Sequence, residues 1–109
     1  MGLQRTEIFG KGVKFSLIQE GIEVARAFVY ILYNDLHPEP FALMEDVFVE
    51  EALRGQGLGS QLVKQVIAEA QKQGCYKLIC TSRYANDKVH KWYEKLGFKN
   101  YGKEFRVDF

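Results

Sequence analysis

The sequence lacks a long apolar run, which excludes one class of protein at the outset. No stretch reaches the roughly 18 consecutive apolar residues that a membrane-spanning helix needs. The first ten residues also lack the apolar core of a signal peptide. We therefore expect a cytoplasmic protein with no membrane partner.

Cysteine is scarce, and its two copies favour neither a disulfide nor a metal site. Cys75 and Cys80 flank one apolar run, so on an extended strand they would lie roughly 16 Å apart, beyond disulfide reach. No histidine stands beside them at the spacing of a metal ligand. We expect reduced thiols and no bound metal.

The chain has no surplus of charge and no linker rich in Gly, Ser or Pro. Its 15 basic and 14 acidic residues leave a formal net charge of +1. The chain therefore lacks the excess of positive charge that is typical of nucleic-acid-binding proteins. A length of 109 residues without internal repeats has room for one compact core. We expect a single domain over 1–109 that does not bind nucleic acid.

Hydrophobic periodicity predicts the element order β-β-β-α-β-α-β-β. The early segments alternate apolar and polar residues or are rich in β-branched and aromatic residues, and the spacing then changes to that of a helix. A strand-helix-strand crossover implies one parallel pair in a mixed, mostly antiparallel α/β (α+β) sheet. The predicted strands are 13–19, 22–33, 41–49 and 76–81, the predicted helices are 56–73 and 86–96, and a final hairpin is predicted over 98–109.

A glycine-rich segment, 54–60, joins the third strand to the first helix. Glycines let the backbone approach a ligand closely and helix N-terminal amides favour anions, so a phosphate or pyrophosphate is the expected ligand. No lysine follows the glycines as in a Walker loop, and Ser60 stands where a Rossmann fingerprint has its third glycine. The alternative is a tight strand-helix turn without a ligand.

Two motifs, in this order, resemble those of the GNAT acyltransferase superfamily. The first is R-x-x-G-x-G at Arg54, Gly57 and Gly59, with Val49 five residues before the arginine. The second is N-(x6)-Y-E-K-x-G-F over 86–98. The resemblance implies a GNAT-like acyl-CoA N-acyltransferase fold and acetyl-CoA as co-substrate.

The resemblance also implies a role for each matching residue. Amides of the glycine loop hold the CoA pyrophosphate, the main chain of the preceding strand pairs with pantetheine, and Asn86 contacts the pantetheine arm. Tyr93 donates to the departing CoA sulfur; alternatively, its ring packs in the core. The implied CoA-binding residues are Val47, Phe48, Val49, Arg54, Gly55, Gln56, Gly57, Leu58, Gly59, Ser60, Asn86 and Tyr93.

Acetyl transfer also needs a base, because an alkyl ammonium with a pKa of about 10 is protonated at neutral pH. Glu45 and Asp46 are adjacent acids on an otherwise apolar strand, and neighbouring strand residues face opposite sides. One or both bind or deprotonate the amine; alternatively, they occupy a solvated rim. The stretch 45–49 is similar to polyamine and glucosamine-phosphate acetyltransferases, but Thr81 replaces an aspartate of the latter branch, so the acceptor stays open.

The N-terminal part of the chain departs from the family pattern. Members of the superfamily begin with a strand and one or two helices that cover the acceptor cleft, whereas about twelve residues precede the first predicted strand here. We expect an open groove or one closed by a second subunit, hence a homodimer. Three functions remain: acetylation of a small-molecule amine, acetylation of a peptide amine, or non-catalytic acyl-CoA binding.

Overall fold

The computed structural model describes residues 1–109 and contains one mixed sheet with two α-helices. The predicted mixed α+β class is confirmed, and the first six predicted elements are present within a few residues of their expected ends. In chain order the elements are β1 (Gly10–Gln19), β2 (Ile22–Leu32), β3 (Phe41–Val49), a 3₁₀ turn (Glu51–Leu53), α1 (Leu58–Lys72), β4 (Leu78–Ile79) and α2 (Asp87–Lys95).

The strands lie in the sheet in chain order, β1-β2-β3-β4. Because short loops join them, β1, β2 and β3 are antiparallel neighbours. β4 is parallel to β3, as expected for strands connected through a helix. This parallel pair covers only Ala42 with Leu78 and Leu43 with Ile79. The rest of β3 therefore has a strand neighbour on one side only.

The core lies between one face of the sheet and α1. Alternate residues of β2 point to that face, since successive strand side chains point to opposite faces. The helix contributes residues at the spacing of a single apolar stripe, as the sequence predicts. The buried cluster consists of Ala25, Ala27, Val29, Ile31, Ala42, Met44, Leu62, Val63, Val66 and Ala70.

The predicted final hairpin is wrong. No strand follows α2, and the residues beyond Phe98 are exposed without regular structure. An isolated two-stranded hairpin is only marginally stable, and its first arm would carry the polar pair Lys99 and Asn100. The projecting segment gives a radius of gyration of 16.1 Å, against about 13 Å for a compact chain of this length.

The other differences concern length. β4 has two residues rather than the six predicted over 76–81. Residues 1–9 contain neither helix nor strand, so no helix precedes β1 in this chain. Neither helix has the length and hydropathy required to cross a bilayer.

Candidate functional site

The glycine loop presents open backbone amides at the start of α1. Gly57 is the N-cap residue with φ of 83°, a left-handed conformation that side chains disfavour, and no side chain caps the helix. The Gln61 amide donates to the Gly57 carbonyl at 3.0 Å, which begins the helical ladder. The amides of Leu58 and Gly59 precede that ladder, and no acidic residue lies in the first turn. This arrangement suits an anion.

Gly59 leaves room for the close approach of α2. A Cβ at this position would lie 3.3 Å from the Trp92 ring and 3.6 Å from Cγ2 of Val49. The Trp92 indole N–H also donates to Oγ of Ser60 at 2.8 Å. The second helix is thus anchored directly on the glycine loop.

The carboxyl half of β3 offers unpaired backbone groups beside this loop. The Glu50 amide donates to the Val24 carbonyl at 2.8 Å. Since backbone groups alternate in direction along a strand, the peptide groups of Val49, next to Glu50, point away from β2. β4 does not reach this level, so no strand covers the edge. The Val49 carbonyl accepts a hydrogen bond from Nε of Arg54 at 2.9 Å.

The loop and the open edge together form a pocket of about 510 Å³. Nine of the twelve residues implied to bind CoA line it: Val47, Phe48, Val49, Arg54, Gly55, Gly57, Leu58, Gly59 and Ser60. The other three, Gln56, Asn86 and Tyr93, do not line it. The structure adds Leu53, Val89 and Trp92 to the lining.

A β-bulge separates the two strand acids. The register passes from Phe28 opposite Glu45 to Arg26 opposite Phe48, so two residues of β3 oppose the single Ala27. Asp46 lies in the bulge with φ of 50° and is exposed, whereas Glu45 is half-buried. The bulge interrupts the alternation on which the opposite orientation of the two acids was predicted.

Tyr93 lies in an aromatic stack and interacts electrostatically with Glu45. Its ring centroid is 5.1 Å from that of Trp92 and 5.4 Å from that of Phe98. Burial, followed by Cys80 and Glu45, raises the pKa of Tyr93 to about 12. Burial and Glu45 also raise the pKa of Cys80 to about 11. The phenol is therefore protonated and neutral at physiological pH.

Asn86 is the N-cap of α2. Its Oδ1 accepts from the Val89 amide at 3.4 Å. The side chain is exposed, and its amide nitrogen makes no hydrogen bond within the chain. The side-chain nitrogen is the part of Asn86 that remains for a ligand.

The sequence model of the acetyltransferase (GNAT) family matches residues 15–98. The match includes β3, the glycine loop and Tyr93. The chain belongs to the GNAT acetyltransferase family.

Similarity to individual GNAT proteins covers part of their length. The chain is 38% identical over 65 residues to glucosamine 6-phosphate N-acetyltransferase of Trypanosoma brucei brucei, covering 60% of this chain and 42% of that enzyme. It is 33% identical over 76 residues to the aminoglycoside N(6')-acetyltransferase type 1 of Serratia marcescens, covering 70% and 51%. A crystal structure of a Trypanosoma brucei acetyltransferase superposes with a TM-score of 0.84 at 30% identity, covering 90% of this chain and 69% of that one. The chain thus spans about half the length of the curated relatives, or less.

Sequence reasoning missed the part that Trp92 plays in this GNAT site. The Trp92 ring packs against the core cluster, as a large aromatic side chain commonly does. It also lines the pocket and bonds to Ser60, 32 positions earlier in the chain. No local signal marks such a pairing; the one clue in the sequence is the position of Trp92 beside Tyr93.

Proposed function

We propose that this GNAT chain is an N-acetyltransferase that moves an acetyl group from acetyl-CoA to a primary amine. The observation that carries the proposal is the position of the open α1 amides beside the unpaired edge of β3. Amides at a helix N-terminus suit a pyrophosphate, and a strand edge suits an extended arm with amide groups. CoA carries both groups in succession. A nucleotide without such an arm would leave the strand edge unused.

The chain supplies groups for each proton transfer of the reaction. Acetyl-CoA supplies a thioester carbonyl carbon, to which the amine nitrogen bonds. Glu45, directly or through water, removes a proton from the amine, and a β3 amide at Val47 or Val49 donates to the carbonyl oxygen as it gains charge. Tyr93 donates its phenolic proton to sulfur as the carbon–sulfur bond breaks. The ammonium loses two protons in becoming the amide nitrogen: one passes to solvent, and the other restores the phenol.

Glu45 is the proposed base because of its surroundings, and Asp46 is the alternative. Glu45 is half-buried and its charge acts on Tyr93, whereas Asp46 is exposed at the bulge. Replacing Glu45→Gln should lower kcat with each amine acceptor at least about a hundredfold, the contribution typical of a general base. Replacing Asp46→Asn should have a smaller effect; the reverse order would assign the base to Asp46.

The acceptor is proposed to be a small-molecule amine. The named relatives act on an amino-sugar phosphate and on aminoglycosides, which supports this class. A peptide amine is the second candidate, because the sheet face that carries Glu45 leaves Tyr30 and Phe48 38% and 39% exposed. A non-catalytic acyl-CoA-binding module is the third, and it predicts that the variant Tyr93→Phe behaves like the wild type in every assay.

We also propose a homodimer formed through the C-terminal segment. Apolar Phe105, Val107 and Phe109 alternate with polar Arg106 and Asp108, and the two polar side chains bond to each other at 2.9 Å. Such alternation is typical of a strand with one buried face, yet these apolar residues are exposed here. Light scattering should report a dimer for the intact chain and a monomer for Val107→Lys. A monomeric intact chain would contradict this proposal alone.

The proposed activity is tested by titration calorimetry with acetyl-CoA and by a free-thiol assay over a panel of amines. Saturable binding plus thiol release that depends on an amine is the expected result. Binding without release from any amine would favour the non-catalytic module. Absence of binding would overturn the proposed use of the glycine loop. The variant Tyr93→Phe should bind acetyl-CoA as tightly as the wild type.

A further inference from the structure

The face of the sheet opposite α1 carries an ordered set of side chains around Glu45. Strand register aligns these side chains in rows across β3, β2 and β1. One row contains Glu45, Phe28 and Lys14. The next row, toward the glycine loop, contains Phe48, Arg26 and Ser16. This face is open to solvent, since the side chains of Lys14 and Arg26 are 43% and 38% exposed.

Both cations of these rows lean toward β3. Nζ of Lys14, a β1 residue, lies 5.4 Å from the centroid of the Phe28 ring on β2. Cζ of Arg26, a β2 residue, lies 4.7 Å from the centroid of the Phe48 ring on β3. Adjacent strands are about 4.8 Å apart, so each cation lies near a ring of the neighbouring strand, on the β3 side of its own strand. The aromatic faces hold them there by cation–π attraction.

The two cations have one counterion between them. Oε1 of Glu23 lies 2.6 Å from Nζ of Lys14, and Oε2 lies 3.8 Å from Nη1 of Arg26. Lys14 and Ser16, through their hydrogen bonds, lower the pKa of Glu23, so this carboxylate remains charged. Lys14, Arg26 and Glu23 together carry one unit of positive charge, and Cζ of Arg54, 5.8 Å from the centroid of the Phe48 ring, lies near the same group.

We propose that Lys14 and Arg26 form an anion subsite for the acceptor, which is an amine that also carries a phosphate or carboxylate group. The inference rests on the proposed function, because Glu45 is where the amine would bind. An amine held by Glu45 neutralises that carboxylate, and the excess positive charge at Lys14 and Arg26 then matches an anionic group on the same molecule. The two groups would be separated by one to two strand spacings, roughly 5–10 Å. Phe28 lies between them as an apolar floor.

The proposal predicts that, among acceptors with the same amine, those that also carry an anionic group are preferred. Three small acceptors share a primary amine and differ in the second group: ethanolamine is neutral there, phosphoethanolamine carries a phosphate and β-alanine carries a carboxylate. Glucosamine and glucosamine 6-phosphate form a larger pair of the same kind. The wild type should show kcat/KM at least about tenfold higher for the anionic member of a pair, as one charge-assisted hydrogen bond gives. The comparison of phosphoethanolamine with β-alanine identifies which anion is preferred.

The double variant Lys14→Gln, Arg26→Gln tests the two residues directly. The ratio of kcat/KM between the anionic and neutral acceptors should fall at least about tenfold. This fall should come from a higher KM for the anionic acceptor. Lys14→Arg retains the charge and should retain the ratio. Lys64→Gln, an exposed site on α1, removes a lysine charge elsewhere and should leave the ratio unchanged. An unaltered ratio in the double variant would overturn the proposal, as would a loss expressed entirely in the KM for acetyl-CoA.

A binding measurement separates this inference from the proposed activity. Inorganic phosphate is titrated into the labelled protein at constant ionic strength, and NMR signals of the Lys14 and Arg26 side chains are followed. Saturable shifts that sodium chloride does not reproduce support the anion subsite even when no amine is acetylated. Equal shifts with phosphate and chloride would overturn it even when acetylation is detected.

Discussion

The segment from β1 to α1 and the segment that follows it are held together in different ways. All ten residues of the buried cluster come from β2, β3 and α1. In contrast, β4 contributes two paired residues, α2 has no buried residue and the C-terminal segment is exposed. The proposed proton donor, Tyr93, belongs to this second region, whereas Glu45 and the glycine loop belong to the first.

This difference places the proposed proton donor outside the part of the molecule that holds the buried core. The first region buries the apolar surface on which folding depends. The second packs against that core through partly buried side chains, and it also makes the Trp92–Ser60 hydrogen bond and the approach of Trp92 to Gly59. Segments with few buried contacts open more readily than the core. We therefore expect the second region to open before β1–β3 and α1 unfold.

The largest expected effect is on stability, from truncating one leucine in each region. Leu62 is 2% exposed in the core cluster, whereas Leu96 is half-buried at the end of α2. Leu62→Ala should lower the free energy of unfolding by about 2–5 kcal/mol, and Leu96→Ala by less than about half as much. Urea unfolding followed by circular dichroism measures both. Equal costs would show that α2 belongs to the same cooperative core.

The next effect is on turnover, from removing the Tyr93 hydroxyl. Tyr93→Phe keeps the ring in its stack with Trp92 and Phe98 and should lower kcat at least about a hundredfold, as loss of a general acid does. Thermal unfolding of the variant serves as the control and should be nearly unchanged. Loss of stability without loss of kcat would reduce Tyr93 to a packing residue.

The register of the core was predictable from sequence, whereas the edge contacts were not. Alternation in β2 and the helical stripe of Leu62, Val63 and Val66 depend on neighbours a few positions away. The bulge at Asp46 depends on how β2 and β3 match, and the Trp92–Ser60 contact joins residues far apart in sequence. The segment 105–109 has the alternation of a strand but no strand beside it. Pattern alone predicted a strand there, because it does not report whether a partner exists.

A smaller effect is expected at the glycine loop. Gly57→Ala forces a side chain into a residue with φ of 83°, which should cost about 1–2 kcal/mol in stability. It should also weaken acetyl-CoA binding several-fold, because the loop amides shift. Gly102→Ala is the matched control, since an added Cβ there meets nothing within 4 Å. Calorimetry that found the same affinity in both variants would argue against the loop as the pyrophosphate site.

The smallest expected effect concerns how kcat depends on pH. With its pKa raised to about 12 by burial, Cys80 and Glu45, Tyr93 stays protonated throughout the ordinary assay range. An acid must be protonated to act, so its contribution is lost only as pH rises toward that value. Between about pH 8 and 10, kcat should therefore show no descending limb. A fall centred near pH 8–9 would assign the proton donor to another group.

The most direct test of the central claim, that the α1 amides and the β3 edge form one CoA site, is a titration of the labelled protein with acetyl-CoA followed by NMR. The account predicts that the amide signals of Leu58, Gly59 and Ser60 shift together with those of Val47 and Val49, and saturate at the same ligand concentration. Saturable shifts confined to other residues, or none at all, would contradict it.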